Sequence, residues 1–317
     1  MRVPAELLTF IGREQEFFIA THINPEGDAL GSALALSMAL EAMGKQTVVY
    51  DRDPVPATYR FLPGHERFTN SLVLLSAGRP LVLLDCNDPE RAGISDTAVS
   101  RSAVIDHHET EKEFGQIRWI EPRAAATGIM VYFLLKELGV GITAEMATNL
   151  YTAIAIDTGT FRYSNVTAEV LRVAADLVDR GANPPLIAEC LYETWSGGRL
   201  RLLIDVLNTL EIVDGLAITV ATKEMFRRTG TSAEDTENFS NFPRKVKEIE
   251  VSAFFRETEE GWKVSLRSRG NVNVAQIADG FRGGGHRNAA GYHVTDDLRK
   301  AREALLRAIK DKGLRHE

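Results

Sequence analysis

His22-Ile23-Asn24-Pro25-Glu26-Gly27-Asp28-Ala29-Leu30-Gly31-Ser32 sets a histidine and two carboxylates among proline and glycine. The apolar run EFFIAT (16–21) precedes it, and DALGSALALSMALEAMG (28–44) follows. The first is short enough to read as a buried strand, the second long enough to read as a helix. A strand that reaches a helix through a polar turn is the repeating unit of an α/β fold. The same pattern returns along the first half. QTVVY (46–50), LVLLD (81–85) and SAVID (102–106) read as strands. ATGIMVYFLLKELG (126–139), TAEMATNLYTAIAID (143–157) and TAEVLRVAADLVDRG (167–181) read as helices. This alternation predicts a mostly parallel sheet flanked by helices, with ligands beyond the carboxyl ends of its strands.

The pattern changes after a helical stretch at PPLIAECLYETWS (184–196) and GRLRLLIDVLNTLEIV (198–213). GLAITVATKEM, EIEVSAFFRET and GWKVSLRSRG read as strands, with a hairpin turn at TEEGW (258–262). NVAQIADGF reads as a short helix, GGGHRNAAG (283–291) as a glycine-rich loop, and DDLRKAREALLRAIKDKG (296–313) as a closing amphipathic helix. The expected organisation is a catalytic domain over 1–190, a helical linker over 191–212 and a smaller α/β domain over 213–317.

The chain of 317 residues is long enough for two cores. It holds no apolar run near 18 residues, so no membrane span is expected, and MRVPAELLTFIGREQE lacks the features of a signal peptide. Two cysteines, Cys86 and Cys190, make no disulfide framework, which suits a cytoplasmic protein. The net charge is −7, against the broad basic face of a protein that tracks long nucleic acid. From Trp262 to Tyr292, however, five basic residues face one acid, a local balance of +4. A small anionic substrate fits that distribution.

Four segments end apolar, strand-like runs with residues that bind hard metals. They are HINPEGD with His22, Glu26 and Asp28, LVLLDCND with Asp85, VIDHHET with Asp106, His107 and His108, and AIAIDTGTFRYSN with Asp157. One aspartate after a strand is commonly a cap or a turn residue. Four such groups together point to shared cations, because buried charges need partners. Carboxylate and imidazole donors without thiolate favour Mn²⁺ or Mg²⁺, with Co²⁺ a substitute. Strand alternation turns Cys86 away from Asp85, as a small buried apolar residue. A two-metal site with ions about 3.5–4 Å apart is the expectation.

These four motifs in order, with the triplet Asp106-His107-His108 and the C-terminal GGGHRNAAG, resemble the DHH phosphoesterase family over nearly the whole chain. Length and motif order are most similar to its bifunctional oligoribonuclease and PAP phosphatase (nanoRNase) branch. The resemblance implies two α/β domains, DHH and DHH-associated, across a cleft, a pair of Mn²⁺ ions and a homodimer. It implies one metal on His22, Glu26 and Asp85, and a second on Asp28, Asp85, His107 and Asp157, with Asp85 bridging. His108 would face the substrate phosphate, and Asp106 would orient the loop or a histidine. Which of His107 and His108 binds metal is open in the sequence alone; His107 is preferred. Glu26 stands where the family usually has aspartate, which lengthens the first ligand by a methylene. Ser265, Arg267, Gly284, Gly285 and His286 would grip the substrate, and Arg162, beside Tyr163, would offset charge on the phosphoryl group. The implied reaction is hydrolysis of short RNAs and dinucleotides such as pApA and pGpG, and of the 3′-phosphate of pAp. A pyrophosphate or short-polyphosphate hydrolase and a non-catalytic nucleotide sensor are the competing readings.

Overall fold

The computed structural model describes residues 1–76, 78–94, 99, 101–108, 113–269 and 272–312, with only the backbone of Leu74, Ser76, His286, Asp311 and Lys312. It divides into two units, Met1–Thr194 and Trp195–Glu317. Among the described residues no helix is long and apolar enough to cross a membrane.

In the first unit, helix α1 (Ala5–Arg13) leads into strand β1 (Glu16–Ala20), helix α2 (Gly27–Ala42) and strands β2 (Gln46–Tyr50) and β3 (Phe68–Thr69). A short helix α3 (Val73–Ser76) precedes β4 (Leu81–Leu84), β5 (Ser102–Asp106) and β6 (Ile117–Ile120). Helices α4 (Thr127–Glu137), α5 (Ala144–Asp157), α6 (Ala168–Asp179) and α7 (Pro184–Tyr192) follow. All six strands are parallel, in the order β3-β2-β1-β4-β5-β6. Strand alternation sends Phe17 and Ile19 into one core with the helices and Phe18 and Ala20 into another on the opposite face. The order reverses between β1 and β4, and such a switch point opens a crevice at the carboxyl ends of the strands. The polar turn after β1 and Asp85 after β4 flank it.

Helix α2 is apolar all round and buried from Gly27 to Leu40, because it lies between the sheet and α4 and α5. Gly31 permits the approach to α5: a Cβ there would lie 2.3 Å from the Asn149 carbonyl oxygen. Gly31→Ala should therefore destabilise the protein by about 1–3 kcal/mol despite the better helix propensity of alanine. A thermal melt that shows no drop in Tm would refute this packing argument.

The second unit contains α8 (Gly197–Leu207), β7 (Glu211–Val213), β8 (Leu216–Ala221), α9 (Lys223–Thr229), β9 (Val251–Thr258) and β10 (Gly261–Ser268). It closes with α10 (Val274–Asp279), β11 (Gly284–His286), β12 (Ala289–Val294) and α11 (Leu298–Lys312). The mixed sheet runs β11-β12-β10-β9-β8-β7. Helix α8, from the stretch expected to link the domains, buries Leu202, Leu203 and Val206 against Phe239 and Phe254 of this unit.

Two local expectations are corrected. GGGHRNAAG is a hairpin rather than a loop, with Gly284 opposite Gly291 and His286 opposite Ala289 across a turn at Arg287-Asn288. Pairing with β12 overrides the poor strand propensity of glycine, and Gly285, at φ 140°, sits where a Cβ would strike the Ala289 carbonyl oxygen at 2.5 Å. KEM of GLAITVATKEM starts a helix, α9, capped by the Thr222 hydroxyl, which accepts from Met225 N.

Candidate metal centre

Asp85 is the middle of the site. It follows β4 with φ +57°, a left-handed conformation that aspartate tolerates, and its N–H donates to the Ile105 carbonyl. The carboxylate is buried. The Oδ2 atom lies 3.5 Å from His22 Nε2, and Oδ1 lies 3.4 Å from His107 Nε2. His107 Nε2 is also 3.0 Å from Asp157 Oδ2 and 3.6 Å from Asp28 Oδ2. Ligand atoms of His22, Glu26 and Asp85 fall within 4.8 Å of one another, as do those of Asp28, His107 and Asp157, and those of Asp85, His107 and His108.

The first two histidines are held alike. His22 Nδ1 is 2.9 Å from the Ile23 carbonyl oxygen and His107 Nδ1 is 3.2 Å from that of Ala124. Donation from Nδ1 leaves the Nε2 lone pair facing the carboxylates, the arrangement of a metal-binding imidazole. His108 differs, because its Nδ1 is 2.7 Å from Asp106 Oδ1, which also accepts from the His108 backbone N–H. Asn87 donates to Asp106 Oδ2 at 2.6 Å and fixes the carboxylate in turn. Asp106→Asn would present an amide donor to His108 or to Asn87, and kcat should fall roughly 10–100-fold, the usual cost of losing such an outer partner. The fall should exceed any change in KM; steady-state kinetics would show a pure KM effect if Asp106 did not act through His108.

The electrostatics call for cations. Burial, then Asp85 and Asp157, holds the Asp28 carboxyl well above the usual range. Glu26 lies at the exposed rim, yet desolvation and then Asp157 and Asp85 raise it too. Burial lowers the basicity of His107, but bonds to Asp157 and Asp85 outweigh it and push the imidazole up to about 12. Burial would raise Asp85, and the bonds from His107 and His22 reverse that and hold it low. A proton on His107 thus substitutes for positive charge that divalent ions would supply. The donors are oxygen and imidazole nitrogen only. The Cys86 thiol, pushed up to about 11 by burial, donates to the Asp88 carbonyl instead. This set fits Mg²⁺-like or Mn²⁺-like ions.

One segment invisible as a motif braces the centre. Thr127 Oγ1 donates to Asp85 Oδ1 at 3.0 Å, while the N–H groups of Thr127 and Gly128 donate to Asp28 at 2.6 and 2.8 Å. Asn165 Nδ2 donates to the carbonyls of Ala125 and Asp157. Asp28 therefore caps α4, across 99 residues of sequence, where the methyl side chain of the N-cap residue Ala126 offers no acceptor. The sequence signals were a Thr-Gly helix start and an asparagine after Asp157, too common to single out.

The fourth motif needs correction. Asp157 ends helix α5, not a strand. Gly159, Thr160 and Phe161, all at φ near +60°, then turn the chain away from the helix. Arg162 is exposed and its Nε donates to the Gly159 carbonyl, so the structure does not join it to the clusters. In the second unit, register places Ser265 and Arg267 on one face of the sheet, with Gly284 in the same row as Ser265 and Gly291. Gly285 alternates to the other row, and the side chain of His286 lies outside the described residues.

Carboxylates and imidazoles gathered at the switch point of a doubly wound sheet, in a chain that also carries a second α/β unit, define a metal-dependent hydrolase of phosphate esters. Residues 16–154 match the DHH family N-terminal domain and residues 215–312 the DHHA1 domain; the chain belongs to the DHH phosphoesterase family. It is 40% identical over 314 residues to the bifunctional oligoribonuclease and PAP phosphatase NrnA of Thermus thermophilus, covering 98% of this chain and 94% of that one. Its identity to the Bacillus subtilis protein of the same name is 25%, covering 92% and 93%. The crystal structure of an exopolyphosphatase-related protein from Bacteroides fragilis superimposes with a TM-score of 0.88 at 28% identity, covering 98% of each chain.

Proposed function

We propose that this protein is a Mn²⁺-dependent phosphoesterase that hydrolyses short oligoribonucleotides and dinucleotides, such as pApA and pGpG, to nucleoside monophosphates, and removes the 3′-phosphate of pAp. The observation that carries the reading is Asp85 set between His22 and His107, in a chain 40% identical to a protein named for these two activities. His22, Glu26 and Asp85 would hold one ion, and Asp28, Asp85, His107 and Asp157 the other. Such a pair lowers the pKa of water and polarises phosphoryl oxygens. The chain's own residues do the rest. Asp85 holds both imidazoles in register, and Thr127 holds Asp85. Asp106 fixes the His108 ring, whose side chain is one-third exposed and free to meet a phosphoryl oxygen. Ser265, Arg267 and Gly284 offer the substrate a face of small and cationic residues.

The likeness to an exopolyphosphatase-related protein favours a second reading, hydrolysis of pyrophosphate or short polyphosphate. Chromatography of pGpG and pAp incubated with the protein and Mn²⁺ separates them. Release of GMP and AMP that EDTA abolishes supports the nucleotide reading; phosphate from pyrophosphate alone supports the second. Mn²⁺ binding without turnover of any of them would leave a nucleotide sensor.

A further inference from the structure

The turn that carries His22 and Glu26 is held from two sides by residues that belong to none of the four motifs. Asp51-Arg52-Asp53 follows β2, the strand paired with β1. The Thr21 N–H donates to the Tyr50 carbonyl at 3.2 Å, and the Thr21 hydroxyl donates to Asp51 Oδ2. The other oxygen of this buried carboxylate, Asp51 Oδ1, accepts from the Asp53 N–H at 2.8 Å. Asp53 Oδ2 in turn accepts from the Asn24 N–H at 2.8 Å. From the other side, the Arg91 carbonyl, in the turn after β4, accepts from the Ile23 N–H at 2.7 Å. The Arg52 stem packs on Gly93 of the same turn, where a Cβ would lie 2.8 Å from Arg52 Cδ.

Residues 21, 23 and 24 are thus each anchored, and the His22 ring is set by its contact with the Ile23 carbonyl. Asn24 stands at φ +54°, a left-handed conformation that asparagine tolerates but that persists only where its surroundings hold it. Glu26, two residues on, has a longer side chain than aspartate and more rotamers to order. A ligand turn that must be ordered when an ion arrives binds it more weakly, because the ordering entropy is subtracted from the binding free energy. A turn ordered beforehand avoids that loss. Neither Asp51 nor Asp53 is a member of a ligand cluster. The Asp28–His107–Asp157 cluster is braced separately, through the Thr127 and Gly128 amides of α4.

We propose that Asp51 and Asp53 are positioning residues that set the metal affinity of the His22–Glu26–Asp85 cluster by holding its turn in the ligating shape. The inference rests on the reading of that cluster as one of two metal sites. Asp53 is half-buried at a cleft of about 510 Å³ that it shares with Arg60, His65 and Asn70, so truncating it opens space to water and leaves no void in the core.

The test is Mn²⁺ binding by the full-length protein, read without substrate from the EPR signal of free Mn²⁺. Wild type should hold two ions. Asp53→Ala should weaken one of them about 10–100-fold, the usual cost of an outer partner, and leave the other unchanged. A fold loosened in general would weaken both. Asp53→Asn keeps an acceptor for the Asn24 N–H and should recover most of the affinity. Thr21→Val, which removes the hydroxyl that meets Asp51, should weaken the same ion. In a His22→Ala background, which lacks that site, Asp53→Ala should change nothing further. Asp53→Asn as weak as Asp53→Ala would overturn the brace, because charge at a distance would then account for the effect. Two ions held equally by wild type, Asp53→Ala and Thr21→Val would overturn the brace and leave the metal reading intact. A wild type that holds no Mn²⁺ would overturn the metal reading and the brace with it.

Discussion

Asp85→Asn is expected to lower kcat/KM on pGpG by at least about 10³-fold, ~4 kcal/mol of transition-state stabilisation, while the fold stays intact. The substitution isolates the charge. Asparagine tolerates the φ of +57° found at Asp85, which alanine would resist. Its Oδ1 still accepts from Thr127 Oγ1, and the backbone bond to Ile105 is untouched. What disappears is the anion between His22 and His107, the carboxylate that belongs to two of the three ligand clusters. In the metal-free protein the substitution gives up the ionic bonds from His107 and His22 but relieves repulsion with Asp28 and Glu26, so the change in stability in EDTA should be small beside the loss of activity. The stabilisation expected of Mn²⁺ bound to wild type, about 2.7 kcal/mol at a hundredfold excess over Kd, should vanish. Thermal melts with and without Mn²⁺, run beside the kinetics, check both halves. An Asp85→Asn protein that turns over pGpG at near wild-type rate would remove Asp85 from the centre of the reaction.

Asp28→Ala should act differently, with activity and stability lost together. Asp28 is fully buried and accepts from Thr127 N, Gly128 N and Ser32 Oγ. Its removal leaves the first amides of α4 without partners, in a place water does not reach. Two effects oppose each other. Repulsion from Asp85 and Asp157 is relieved, which favours the variant. Two buried donors are orphaned, each costing about 1–3 kcal/mol. The metal-free wild type can already relieve the repulsion by taking up a proton, so the orphaned amides decide the sign. A net loss of about 2 kcal/mol is expected, which lowers Tm by roughly 4–8 °C in a protein of this size class. Asp28→Asn should recover only part of it, since one of its two terminal atoms is a donor facing donors. Urea unfolding in EDTA gives the number directly; an unchanged midpoint for Asp28→Ala would show that the α4 amides find other partners. The contrast with Asp85→Asn separates a carboxylate that serves chemistry from one that also caps a helix.

The sequence by itself determined the alternation of strands and helices. Runs such as EFFIAT and SAVID are apolar on both faces, and only a sheet covered on both sides buries them. The same local logic marked His22, Asp85 and Asp106 as residues at strand ends. Very short elements escaped it: β3 has two residues and β6 four, too few to show a period. Local pattern could not tell strand from helix before Asp157, where an apolar run suits either. The tertiary structure decided what meets what. Strand order puts β4 beside β1, so that His22 and Asp85, 63 positions apart, share a contact. It carries the Thr127 amide to Asp28 and sets His107, rather than His108, among three carboxylates. Such facts are non-local because hydrogen bonds and charges act over a few ångströms in space, whatever the distance along the chain. A residue's type and neighbours in sequence state what it can do; the strand order and the packing of helices on it decide with which partner.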